Sequence, residues 1–199
     1  MAERRTFVLT DTAHDVWVED FTLDAEAAGG LAVSKRRLRG GRRDGVDLIR
    51  VDNGALSFQV VPTRGMGLWK AALGADRVGW DSPTRDGPIH PAYVQPHDIG
   101  GIGWLEGFDE LMVRCGLMHN GAPYREGNAL YPLHGRIASI PAWYVAVHVD
   151  DDSIAVEGRV AESFLFGGGI ELVTTYTTAR GSSAVARTAA SAIMPGTER

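Results

Sequence analysis

"VDLIRVDNGALSFQVV", residues 46–61, decides the class of fold. Two apolar, β-branched runs, 46–51 and 55–61, flank Asp52, Asn53 and Gly54. Asn-Gly suits a tight turn with positive φ, so the stretch reads as a β-hairpin. Outward from it the texture recurs. "TFVLT" (6–10) and "DVWVEDFTL" (15–23) carry β-branched and aromatic residues in partial alternation. "MGLWKAAL" (66–73) and "RVGW" (77–80) flank another turn, and "LMVRCGL" (111–117) reads as a buried strand. "RIASIPAWYVAVHV" (136–149), "SIAVEGRVAESFLF" (153–166) and "GIELVTTYTT" (169–178) continue the pattern. Ile154, Val156 and Val160 share a parity, which predicts one buried face and one polar face. The expectation is an all-β, mostly antiparallel sandwich with little helix.

Two long loops interrupt the strands. Residues 81–110 are rich in proline and glycine, yet hold Tyr93, Trp104 and Phe108, which argues against disorder. One short helix is expected near Trp104–Glu110. The second loop, "MHNGAPYREGNALYPLHG", covers 118–135. Residues 179–199 are small residues, serine and arginine without strand alternation. They read as a poorly structured tail behind a single domain spanning 1–178, whose last strand leaves an open sheet edge for homo-oligomer contact.

At 199 residues, 44% apolar, the chain has material for one core. A net charge of −5 with 23% charged residues gives no sign of a nucleic-acid or membrane partner. Lys35 and Lys70 are the only lysines, so arginine carries the positive charge. Cys115 stands alone, which excludes an internal disulfide and a cysteine-rich zinc site. The N-terminal residues lack an apolar run of signal-peptide length, and no stretch matches a membrane span. A cytoplasmic protein is expected.

No P-loop, G-x-S-x-G or H-E-x-x-H is present, and "GGIG" (100–103) lacks the setting of a dinucleotide site. His90, His97, His119 and His134 all lie on the long loops, without an H-x-H spacing that would aim two ligands one way. On these patterns neither a metal site nor a dinucleotide site is expected.

Other residues carry two readings each. Arg114, inside an apolar run, must meet a carboxylate, several carbonyls or a ligand, because an isolated buried charge is costly. It either pairs with Asp109 or Glu110 or lines a polar cleft. Arg64 either leans into the same cleft or caps the Gly65 turn. Glu106 and Glu110 fall on one face if their stretch is helical. Trp104 and Phe108 share that spacing. Aromatic faces beside arginine and carboxylate suit a sugar, and suit a core plug equally well. Histidine as a residue type suits proton transfer near neutral pH, and His134 sits on a stiff base between Pro132 and Pro141. Proton transfer and a structural hydrogen bond both fit it.

"PLHGRIASIPAW" resembles the His-Gly step of the aldose 1-epimerase (galactose mutarotase-like) superfamily. "VVPTRGMGLWKAALGADRVGWDSP" and "GGIGWLEGFDELMVRCGL" are similar to its less characterised branch, described as aldose 1-epimerase-like or as a domain of unknown function. The resemblance covers residues 45–178. It implies an antiparallel supersandwich that binds a sugar or sugar phosphate and interconverts anomers by histidine–glutamate acid–base ring opening, without a cofactor. It implies that His134 is the first of two active-site histidines and that Arg114 binds sugar. Arg64, Trp104 and Asp109 complete the expected sugar contacts. The family's second histidine and its glutamate base fall in later strands. The chain is therefore expected to be the N-terminal two-thirds of the family fold, truncated or shifted in frame near Thr178–Arg180. A non-catalytic sugar-binding module or an inactive fragment is the alternative.

Overall fold

The computed structural model describes residues 4–165 and 168–194. One six-stranded sheet runs, in spatial order, β14 (Ala186–Met194), β13 (Gly168–Ala179), β12 (Ser153–Phe164), β11 (Tyr144–Val149), β1 (Arg5–Asp11), β2 (Val16–Trp17). The other runs β3 (Phe21–Leu23), β4 (Ala32–Arg37), β5 (Asp47–Asp52), β6 (Leu56–Val61), β7 (Gly67–Leu73), β8 (Asp76–Val78). Neighbouring strands pair antiparallel throughout. A small hairpin, β9 (Tyr124–Glu126) with β10 (Ala129–Tyr131), stands beside them.

The sheets face each other across one core. Ile49, Phe58 and Val60 from one meet Val147, Val156 and Tyr176 from the other. Interior apolar area removed from water supplies the drive, at roughly 25 cal/mol per Å². The predicted parity of β12 holds, with Ile154, Val156 and Val160 wholly buried.

The β5–β6 hairpin forms as its sequence predicts. Gly54 takes φ 92°, and the Asn53 side-chain Oδ1 accepts from the Ala55 and Leu56 N–H groups at 2.9 and 2.7 Å. The Asn53 amide also reaches the opposite sheet, donating to Thr178 Oγ1 at 2.7 Å and to the Ala179 carbonyl at 2.9 Å. One buried turn residue thereby fixes the sheets relative to each other.

Four expectations change. Residues 15–23 do not form one strand. They split into β2 and β3 on different sheets, and at the break the buried Lys35 ammonium takes the Val18 and Glu19 carbonyls. "LMVRCGL" is no strand either. It touches β7 by one bridge, Leu68 to Met112, then turns at Gly116 (φ 102°) as Arg114 enters the interior. The expected helix is a 3-10 turn, Gly103–Gly107, so Glu106 and Glu110 do not share a face. Glu110 is buried and Glu106 is exposed near Arg42. In the 179–199 stretch, read as a poorly structured tail, β14 pairs with β13 over nine residues. Its backbone extends a ready edge while its side chains stay largely exposed, which is why side-chain alternation gave no signal. Residues 195–199 lie outside the described part.

Candidate functional site

The site grows from the step between Pro132 and Ile137. His134 takes φ 58° and Gly135 takes φ 74°. Two successive left-handed residues fold the backbone back on itself. The His134 N–H donates to the Gly121 carbonyl at 2.8 Å, and its own carbonyl accepts from the Gly116 N–H at 2.9 Å. The Arg136 and Ile137 N–H groups both donate to the Gly116 carbonyl, at 3.1 and 3.0 Å. Glycine is required at 135: a Cβ there would stand 2.3 Å from the His119 carbonyl and 2.4 Å from that of Gly116. With the Leu133 N–H donating to the Gly101 carbonyl at 2.7 Å, the step is a clasp that ties the two long loops together.

Beside the clasp lies a cavity of about 310 Å³, walled by His97, His119, Tyr131, Arg136, Glu162 and Phe164 among others. Glu162 falls at the inward parity of β12 and is only 3% exposed. Among the described residues its partners are few. The Leu117 N–H donates to Oε2 at 3.4 Å, and Arg136 Nε stands 3.8 Å from Oε1. The Arg136 guanidinium lies over the Phe164 ring, 5.8 Å from its centre. Tyr131 stacks on Tyr124 at 4.6 Å, and His119 meets Tyr124 edge-on at 4.8 Å. The His119 Nε2 is 3.0 Å from the Ala122 carbonyl. A carboxylate, a guanidinium, two imidazoles and two aromatic faces therefore surround one hollow. Such a set can hydrogen-bond hydroxyls, cover C–H faces and move protons.

The residues singled out from sequence fall into three places. His134 adjoins the cavity through Gly135 and Arg136, but its ring lies elsewhere. Its Nδ1 is 3.4 Å from Asn120 Oδ1, and the ring meets Trp104 edge-on at 5.1 Å. Trp104 is buried, stacked on Phe108 at 4.8 Å, and its indole N–H has no partner among the described residues. Arg64 and Asp109 tie this loop to the strands beneath it. Arg64 donates to Glu110 and, through Nη1, to the Ile89 carbonyl at 3.1 Å. Asp109 accepts from the Trp69 indole at 2.6 Å and from Lys70 at 3.4 Å.

Arg114, 4% exposed, meets neither Asp109 nor Glu110. Its guanidinium donates to the Tyr176 hydroxyl, which donates in turn to the Met66 carbonyl at 2.8 Å. Burial pushes the Arg114 pKa down and that of Tyr176 up. The structure thus brings Trp104 to His134, and gathers Arg64, Asp109 and Glu110 into internal pairs. Glu162 and Arg136 escaped the sequence reading, and His119 entered it only as a candidate metal ligand. The parity of Ile154, Val156 and Val160 runs on to Glu162, and that was the available signal.

Of the four loop histidines, His97 and His119 share the wall of the cavity beside the clasp, and His90 and His134 do not line it. Among the described residues, no group of three histidine, cysteine or acidic side chains could hold a metal ion. A larger hollow of about 430 Å³ lies over β3, β4 and β5. Its charges are exposed there, and Arg50 pairs with Asp52 at 2.8 Å, so it lacks the buried groups of the first cavity. Among the described residues no helix is long and apolar enough to cross a membrane.

Comparison with known proteins agrees with this architecture. A family described as "Domain of unknown function (DUF4432)" matches residues 43–188. A crystal structure described as a "putative aldose 1-epimerase" from Klebsiella pneumoniae superimposes with a TM-score of 0.88 at 29% identity. The match covers 93% of this chain and 50% of that one, so the chain spans half the length of the solved structure. No curated protein matches the sequence.

Proposed function

The chain belongs to the DUF4432 family, and on that premise we propose that it is a carbohydrate-binding protein of the aldose 1-epimerase kind, with its site in the cavity beside the His134–Gly135 clasp. One observation carries the reading. A buried carboxylate, imidazoles and aromatic rings share a hollow of ligand size, in a fold shared with the Klebsiella pneumoniae structure. Ring faces suit the C–H faces of a sugar, and the polar groups suit its hydroxyls.

The reaction that fits is interconversion of anomers. A base takes the proton of the anomeric hydroxyl while an acid protonates the ring oxygen, and the bond between C1 and that oxygen breaks. The C1–C2 bond turns, and the reverse transfers close the ring on the other face. Positioned proton transfer of this kind contributes roughly 10²–10⁴-fold in rate. The resemblance assigns His134 as the proton donor to the ring oxygen and Arg114 as a sugar contact; neither side chain walls this cavity, and the Arg114 guanidinium is held by Tyr176 and the Met66 carbonyl.

Binding without catalysis is the second reading. It is favoured by the His134 ring, which packs on Trp104 and faces Asn120 instead of walling the cavity. Saturation-transfer NMR with glucose and galactose tests what both readings share. Transfer to sugar protons supports them, and its absence at millimolar sugar contradicts both.

A further inference from the structure

Glu162 is a buried carboxylate that the fold leaves under-supplied. A carboxylate has about four acceptor positions. Among the described residues, Glu162 uses one on a long contact from the Leu117 N–H, 3.4 Å, and Arg136 stops at 3.8 Å, short of a hydrogen bond. At 3% exposure it cannot recover the balance from bulk water. Burying an ionised group without full hydrogen bonding is costly, and the open side of this one is the wall of the 310 Å³ cavity.

We propose that Glu162 and Arg136 together clamp two adjacent hydroxyls of a neutral sugar. This rests on the sugar-binding reading and sharpens it by naming the ligand class. One hydroxyl donates its hydrogen to Glu162. Its neighbour accepts from the Arg136 guanidinium, which the Phe164 ring supports at 5.8 Å. The gap between the charges is wider than a direct bond needs, and a hydroxyl pair bridges it. The two charges offset each other, so this part of the cavity presents no net positive field. A phosphate or a sugar carboxylate placed against Glu162 would be repelled, so neutral aldoses are preferred over their acidic counterparts. Phe164 and Tyr131 offer the apolar faces that sugar C–H groups cover.

The experiment is a pair of titrations, with glucose and galactose as neutral probes and glucose 6-phosphate and glucuronate as anionic ones. They are followed by NMR on the full chain and on the Glu162→Gln and Arg136→Met variants. A hydrogen bond to a charged group is worth roughly a tenfold or larger change in affinity. Glu162→Gln is therefore expected to weaken neutral-sugar binding by about tenfold or more. The gap between neutral and anionic sugars should narrow as the repelling charge is removed. Arg136→Met should weaken neutral sugars while the thermal midpoint stays close to that of the unaltered chain, since Arg136 is partly exposed. Neutral-sugar binding unchanged in Glu162→Gln overturns this inference and leaves the sugar-binding reading standing. Tighter binding of glucose 6-phosphate than of glucose by the unaltered chain also overturns it. No binding of any of the four sugars by the unaltered chain overturns both.

Discussion

Arg64 and Glu110 form an ion pair at 1% and 0% side-chain exposure, between the turn that ends β6 and the long loop that carries Trp104. The loop is thus tied down by charge in a place water does not reach. Removing one partner strands the other. Arg64→Met is expected to cost about 3–5 kcal/mol, whereas Arg64→Met with Glu110→Leu should recover most of that. Urea unfolding of the two variants checks it. Equal losses would mean that Glu110 is not left uncompensated.

Tyr176 anchors Arg114 to the backbone of Met66. Tyr176→Phe keeps the ring and removes the hydroxyl, leaving part of a buried guanidinium unmet. The expected loss is about 1–3 kcal/mol, read as a lower urea midpoint with an unchanged slope.

Gly135→Ala tests the clasp. The backbone there has φ 74°, and the new Cβ would press on two carbonyls. Strain alone costs about 1–3 kcal/mol, and the contacts add to it. The loss should appear both in global unfolding and in the NMR signals of His119 and Gly116, whose carbonyls must move. An unperturbed variant would contradict the described turn.

His148 supplies a pH dependence. Burial, with repulsion from Arg4, lowers its pKa below the usual histidine value. Its Nδ1 meets the Thr6 hydroxyl at 3.0 Å. The unfolded chain therefore binds the proton more readily than the folded one. This contribution to stability is fully present above about pH 6.5 and is lost as pH falls below that. Comparing urea midpoints at pH 7.5 and pH 5, His148→Gln should show a smaller acid loss than the unaltered chain.

Much of this architecture is legible in the sequence because it is local. Asn53-Gly54 between two β-branched runs sets a turn whatever surrounds it, and the parity of Ile154, Val156 and Val160 sets which face is buried. What failed was long-range. Whether residues 15–23 stay on one sheet depends on Lys35, whose ammonium takes the carbonyls at the break. Whether Arg114 pairs with Glu110 depends on Arg64 taking that carboxylate first. β14 shows the third limit: its pairing is backbone to backbone, and side-chain pattern carries no record of it. The candidate site was half legible. His134-Gly135 marked the turn, but the groups around the hollow come from four separated stretches, near 97, 119, 131–136 and 162–164. Only the fold brings them together.

The central claim is that an aldose occupies this cavity and exchanges its anomers there. Two-dimensional exchange NMR on equilibrated glucose and galactose, with and without the protein, tests it most directly. The account predicts cross-peaks between α and β anomeric protons that grow with protein concentration and weaken in Glu162→Gln. Saturation transfer to the sugar with no added anomer exchange would contradict the catalytic claim and leave a binding module in its place.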